Sequence, residues 1–111
     1  MIDPKLEREV ELLHKRICYA LGDPTRVLIL YALSGGPLCV SEMVEELNVA
    51  QPTVSRHLRV LRERGLVNTE REGTNIYYSL TDKRVVDALN LLRAVLQAQM
   101  EAEAQVTQTL T

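Results

Sequence analysis

The stretch AQPTVSRHLRVLRERGLV, residues 50–67, constrains the fold of this chain more than any other part of it. On a helix that turns about 100° per residue, three of its apolar residues fall on one side: Val54, Leu58 and Leu61. Pro52 is compatible with the first turn of such a helix, and Gly65 is of the type that commonly follows a helix end. We therefore expect a helix over residues 51–64 with one buried and one exposed side.

The exposed side of this helix carries positive charge in a chain that is acidic as a whole. Arg56 and Arg59 point away from the apolar side, with Thr53 and Ser55 on the flanks. Residues 51–71 contain five arginines against two glutamates, whereas the rest of the chain has eight basic and thirteen acidic residues. This asymmetry favours a polyanionic ligand more than the formal net charge of −2 suggests.

Three more helices precede this one. Apolar residues at spacings of three and four predict a first helix from Pro4 to about Leu21. GDPTRVLILYALSGG predicts a buried second helix that is capped by Asp23 and stopped by two glycines. SEMVEELNV predicts a short third helix with Ser41 as its N-cap. Because only a few residues separate the third and fourth helices, together they form a predicted helix-turn-helix.

The C-terminal part changes from strand periodicity to helix periodicity. Residues 66–80, LVNTEREGTNIYYSL, alternate around the turn EGTN and predict a β-hairpin, which would form a wing. A long amphipathic last helix follows Thr81, its expected N-cap, and we expect a frayed tail over residues 102–111. The first and last helices carry more apolar surface than this small core can cover, which predicts a dimer.

Length and composition indicate one domain spanning residues 1–111, since 46% of the residues are hydrophobic and 25% are charged. No apolar run is long enough to cross a bilayer, and the N-terminal MIDPKLERE does not resemble a signal peptide. We therefore expect a cytoplasmic protein with no membrane partner. Two cysteines are too few for a disulfide framework, so they are expected to be free thiols.

Four segments together resemble the ArsR/SmtB family of bacterial winged-helix repressors: LGDPTRVLILYAL, LCVSEMVEEL, QPTVSRHLRVLRERGLV and REGTNIYYSL. The similarity covers about residues 6–96. It implies a mainly α-helical winged helix-turn-helix with a β-hairpin wing, in the order of four helices, two strands and a fifth helix. It also implies a homodimer built by the first and last helices. The fourth helix would enter the DNA major groove, and an inducer would relieve repression.

Carried over position by position, the resemblance implies seven DNA-binding residues: Gln51, Thr53, Ser55, Arg56, Arg59, Arg71 and Asn75. Their partner would be an operator in double-stranded DNA, expected to be an inverted repeat. An arginine bidentate to guanine contributes about 1–3 kcal/mol of discrimination, so we expect most from Arg56 and Arg59. His57 lies beside the apolar side and is expected to pack. Glu70 and Glu72 flank the wing tip, which predicts weak wing contacts.

The inducer is less well defined by the sequence than the DNA-binding residues. The resemblance implies metal sensing through a CVC motif, but this chain has LCVSEM, with Ser41 in place of the second thiol. The family's histidine-containing site on the last helix is missing. The remaining candidates for a thiophilic metal or metalloid, or for thiol oxidation, are Cys39, Cys18 and His14. Packing of Cys18 as a small apolar residue is the competing interpretation. No metal is needed for the fold.

Three functions stay open on the sequence alone. The first is a dimeric DNA-binding repressor relieved by a thiophilic ion or by thiol oxidation. The second is a DNA-binding regulator without a small-molecule inducer. The third is a winged-helix module whose arginines meet an acidic protein surface. An enzyme is not expected, because the sequence shows no Gly-rich phosphate loop, paired-carboxylate cleft or nucleophile–base arrangement.

Overall fold

The computed structural model describes the backbone of residues 1–110 and the side chains of residues 1–108. Its elements follow in chain order: α1 Pro4–Leu13, α2 Pro24–Leu33, β1 Leu38–Cys39, α3 Val40–Leu47, α4 Gln51–Glu63, β2 Val67–Glu72, β3 Asn75–Leu80 and α5 Arg84–Leu110. This arrangement confirms the winged helix-turn-helix class, with one additional short strand before α3.

Helix α2 lies at the centre of the core, as its nearly continuous apolar run predicts. Asp23 caps its N-terminus, and the Asp23 carboxylate accepts a hydrogen bond from the Thr25 backbone N–H at 2.8 Å. Helices α3 and α4 pack against α2. The fully buried side chains of these three helices are Ile29, Leu30, Met43, Val54, Leu58 and Leu61. Burial of this shared apolar surface holds the three helices in a fixed arrangement.

The helix-turn-helix is formed by α3 and α4. Asn48 ends α3 in the left-handed region, with φ 54°, and three residues connect the two helices. The expected bounds of α4 are confirmed within one residue, and Gly65 follows the helix with φ 78°. The expected N-cap of α3 is wrong by two residues. Cys39 occupies that position, and its backbone N–H donates to the Glu42 carboxylate at 3.1 Å.

The wing is the antiparallel hairpin of β2 and β3, as expected. Its register pairs Val67 with Leu80 at the base and Glu72 with Asn75 at the tip. The strand β1 pairs with β3 on the other edge, which gives a three-stranded sheet in the order β1-β3-β2. A strand of two residues is too short to show the alternation that a sequence pattern needs.

The first helix differs from the continuous α-helix expected to Leu21. It is α-helical only over Pro4–Leu13 and widens into a π-helical segment over His14–Cys18. An apolar spacing of three and four residues does not distinguish these windings. No residue of α1 is buried within one subunit, and its apolar stripe is about half exposed: Leu6, Val10 and Leu13.

The last helix is longer than expected. Residues 102–110, expected to fray, continue α5 to Leu110, while Thr111 lies outside the described residues. The helix formers Ala, Glu and Gln of this stretch explain the difference. Thr81 does not cap α5. Instead, the Asp82 carboxylate accepts from the Arg84 side chain and backbone, and these hydrogen bonds hold the pKa of Asp82 at about 2.

Much of the surface of α5 is apolar and uncovered within one subunit. More than half of each of these side chains is exposed: Leu91, Leu92, Val95, Leu96, Met100 and Val106. Like the stripe of α1, this surface is typical of a face that a partner covers. In the described part of the chain, no helix combines the length and the apolar character that a membrane crossing requires.

The conformation after α4 can be tested with Gly65→Ala. The positive φ of Gly65 is costly for a side chain with a Cβ, although nothing lies within 4 Å of that position. We expect the free energy of unfolding to fall by about 1–2 kcal/mol in urea titrations at fixed protein concentration. Gly35→Ala is the matched control and should be nearly neutral. Equal effects of the two substitutions would contradict a backbone strain specific to position 65.

Candidate nucleic-acid interface

The apolar side of α4 determines which of its residues face solvent. Val54, Leu58 and Leu61 are fully buried against the rest of the core. Gln51, Ser55, Arg56 and Arg59 are exposed, and Thr53 is half-buried. The structure therefore brings all five residues predicted on this helix to its outer side or its edge. Such a ridge of polar side chains on a rigid helix has the shape and donors to read a DNA groove.

The two arginines on which we place most weight differ in their surroundings. The Arg59 Nε lies 3.3 Å from a Glu63 carboxylate oxygen one helical turn away, in an exposed ion pair. An exposed pair of this kind contributes little to stability and is easily exchanged for another anion. Arg56 forms no ion pair with the described residues. Within residues 1–108, its guanidinium therefore has no anionic partner that competes with a phosphate or a base.

The two predicted wing residues lie near the hairpin tip, Arg71 toward the end of β2 and Asn75 at the start of β3. Arg71 is exposed on β2, where its Nε donates to the Gly73 carbonyl at 3.3 Å, and Asn75 begins β3. Glu70 and Glu72 alternate with Arg71, so their side chains leave the opposite face of the strand. They line a hollow of about 280 Å³ on that side. The two carboxylates are therefore directed away from the face that carries Arg71, so they repel a phosphate at Arg71 less than their positions in the sequence suggest.

His57 is packed, as expected, and it belongs to a polar contact that the sequence did not reveal. The residue is 8% exposed. The Arg26 guanidinium lies 3.2 Å from His57 Nδ1, and Asp23 Oδ1 lies 3.7 Å from Nε2. Because a guanidinium only donates, Nδ1 must accept this hydrogen bond. The residues are 31 positions apart, and a single sequence gives no sign that they meet.

The contact affects the ionisation of Asp23. Partial desolvation raises the pKa of this carboxyl, but it is outweighed by the hydrogen bond from Thr25, the electrostatic interaction with the His57 ring, and the hydrogen bond and charge of Arg26. The net result is a pKa below the ordinary value of 3.8. The ionised form of Asp23 is therefore favoured in the folded protein.

The candidate sensor residues do not converge in one subunit. Within residues 1–108, no three His, Cys, Asp or Glu side chains are placed to hold a metal ion. His14 and Cys18 are exposed in the π-helical segment, and Cys18 lines a cavity of about 540 Å³ between the first helix and α5. Cys39 is half-buried at the start of α3, with its Sγ 3.2 Å from the Ser41 hydroxyl.

Comparisons with known proteins agree with this geometry. Residues 23–69 match the family described as bacterial regulatory protein, arsR family. An uncharacterized HTH-type transcriptional regulator of Methanocaldococcus jannaschii, MJ1325, is 42% identical over 74 residues, which are 66% of this chain and 83% of that protein. The transcriptional repressor SdpR of Bacillus subtilis is 37% identical over 71 residues, or 64% of this chain and 79% of SdpR.

A solved structure gives the same result for the fold. It is the homodimeric winged helix-turn-helix DNA-binding domain Mb0332 from Mycobacterium bovis, described as a possible ArsR-family transcriptional regulator. The superposition has a TM-score of 0.72 at 26% identity and covers 87% of this chain and 89% of that one. The likeness extends beyond the helix-turn-helix to most of the chain.

The surroundings of Asp23 predict a pH dependence of stability. Because its pKa is lower in the folded protein, the ionised carboxylate stabilises the fold above about pH 4, and this contribution is lost as the pH falls through the lowered pKa. Asp23→Asn keeps a capping oxygen but removes the charge. We expect the wild type to melt at a higher Tm than the variant at pH 6, and the difference to shrink toward pH 3.

The control for this measurement is Asp3→Asn, which makes the same change at the cap of α1. Since the Asp3 carboxylate accepts only an exposed hydrogen bond, from the Lys5 backbone N–H, and an asparagine oxygen can accept the same bond, the Tm should change little at either pH. A difference between the wild type and Asp23→Asn that stays constant or grows between pH 6 and pH 3 would contradict the interpretation.

Proposed function

Because this chain belongs to the ArsR family of bacterial regulatory proteins, we propose that it is a dimeric, sequence-specific DNA-binding repressor of transcription. The observation that carries the proposal is the outer side of α4. Arg56 and Arg59 stand exposed there on a helix whose other side is anchored in the core. A rigid helix with exposed guanidinium groups fits the width and the acceptor pattern of the major groove.

We assign DNA contacts to the residues that this geometry exposes or leaves at the helix edge: Gln51, Thr53, Ser55, Arg56, Arg59, Arg71 and Asn75. The arginines of α4 would read base edges, and the hydroxyls would position the helix against phosphates. Arg71 and Asn75 would reach DNA from the wing. The expected operator is an inverted repeat, because a two-fold dimer presents two α4 helices related by the same symmetry.

The dimer is supported by the two uncovered apolar stripes. Those of α1 and α5 expose several leucines and valines each, and a second copy would remove them from water. The relative from Mycobacterium bovis is described as homodimeric. We propose that α1 and α5 form the interface.

A regulator that binds chromosomal DNA acts in the cytoplasm of a bacterium or archaeon. We propose that location for this protein, and we propose that it has no enzymatic activity.

For the release of DNA we favour Cys39 over Cys18 as the responsive thiol. Cys39 caps α3, the first helix of the helix-turn-helix, and its Sγ contacts the Ser41 hydroxyl at 3.2 Å. Modification at this point would disturb the cap and the helix that supports α4. Cys18 lies in the π-helical segment, on a different part of the subunit. Arsenite or cadmium would need ligands from elsewhere, since His14 and Cys18 do not join Cys39 in a ligand group.

The DNA-binding role can be tested with Arg56→Ala combined with Arg59→Ala. Removing two guanidinium groups should weaken binding to a duplex selected from random sequences by at least about 30-fold, with a shallower salt dependence. Lys5→Ala combined with Arg8→Ala removes the same charge from α1 and should leave affinity nearly unchanged. If the wild type binds no duplex and the arginine variant instead loses an acidic protein partner, the chain is an interaction module.

The thiol proposal predicts that only one of the two cysteines is needed for the release of DNA. In fluorescence anisotropy with a labelled operator, glutathione disulfide, which converts a single thiol to a mixed disulfide and releases glutathione, should release the wild type and Cys18→Ser but not Cys39→Ser. Serine keeps a hydroxyl cap at position 39, so DNA affinity without the reagent should be retained. Equal release of all three proteins would contradict a role for Cys39. Retention of DNA by all three would instead favour a regulator without an inducer at these residues.

A further inference from the structure

The buried face of α4 contains one polar side chain that contributes nothing to its exposed arginine ridge. Among residues 1–108, His57 is the single polar or charged residue that is buried. At 8% exposure, it cannot reach a DNA base in this conformation. Burial of an imidazole in an apolar core is unfavourable unless it is hydrogen-bonded, and its partner comes from a different helix.

That partner, Arg26, connects three parts of the chain. Its Nε donates to the Ala20 carbonyl at 2.7 Å, and its Nη2 donates to the Tyr19 carbonyl at 3.0 Å. Its third nitrogen, Nη1, lies 3.2 Å from His57 Nδ1. Every nitrogen of the guanidinium is therefore used. A lysine ammonium, which is a point donor, cannot span the same three acceptors with this geometry.

A second contact joins α4 to the same place on the first helix. The Arg64 guanidinium, directly after α4, lies 4.5 Å from the centre of the Tyr19 ring and donates to the Lys15 carbonyl at 3.4 Å. Residues 15–20 thus hold α4 at its middle through Arg26 and at its C-terminal end through Arg64. These residues also continue the helix whose apolar stripe we assign to the dimer interface.

We propose that Arg26 and His57 are positioning residues that fix the orientation of α4 relative to the first helix, and through it the alignment of the two α4 helices with their half-sites. This inference rests on the proposed DNA-binding function. Base readout requires side chains held to within about 0.5 Å, which apolar packing with interchangeable contacts does not ensure by itself. A buried hydrogen bond between fixed groups selects one orientation.

A positioning role differs from a merely structural role in what it changes. A structural role would lower Tm and leave the properties of the folded dimer intact. A positioning role lowers the preference for operator over random duplex, because base contacts are lost while phosphate contacts remain. The slope of affinity against salt concentration reports the phosphate contacts and should stay the same.

The experiment compares His57→Leu, His57→Asn and Arg26→Lys at a temperature at which all three are folded. The probes are a duplex that the wild type selects from a random library and an unrelated duplex of equal length. We expect His57→Leu and Arg26→Lys to lose about tenfold in operator affinity, with random-duplex affinity and salt slope unchanged. His57→Asn, which places an amide oxygen near the Nδ1 position, should recover most of the loss.

Arg8→Lys on the outer face of α1 is the matched control for Arg26→Lys and should behave as the wild type. If His57→Leu does not fold, the comparison of Arg26→Lys with the wild type decides. An unchanged preference for operator over random duplex in the folded variants would overturn the proposal, as would equal losses in His57→Leu and His57→Asn. A wild type that selects no duplex would contradict the proposed function itself.

Discussion

The packing of α4 on α2 is the interaction on which DNA recognition by this chain depends. Val54, Leu58 and Leu61 are fully buried, and their position fixes which residues of α4 face outward. A rotation of α4 that turned Arg59 inward would turn Leu58 outward, and both changes are unfavourable. The same burial that stabilises the core therefore presents Arg56 and Arg59 to a ligand.

An acidic protein can bind DNA in this way because charge acts locally. At physiological salt, charges farther apart than about 8 Å are largely screened from each other. The five arginines against two glutamates in residues 51–71 therefore attract phosphates more strongly than the net charge of −2 suggests. The acidic remainder of the chain reduces binding to DNA in general, so that selectivity rests on few, well-positioned contacts. Such an arrangement makes the orientation of α4 especially important.

Much of the fold could be predicted from the sequence because its signals are local. The bounds of α4, the Asp23 cap and the hairpin each depend on residues within one or two turns of one another. No distinctive periodicity in the sequence marked three other features: the two-residue strand β1, the π-helical segment and the helical C-terminal part of α5. The contact of Arg26 with His57 depends on packing between helices, so it requires the structure.

The central claim is that two copies pair through α1 and α5 and present their α4 helices to successive major grooves. The most direct test is the distance between spin labels on Ser55→Cys, in a background with Cys18→Ser and Cys39→Ser, measured by double electron–electron resonance. We predict one distribution centred near about 34–36 Å, broadened by the label. An absence of dipolar coupling, or a much shorter distance with the α4 helices face to face, would contradict the claim.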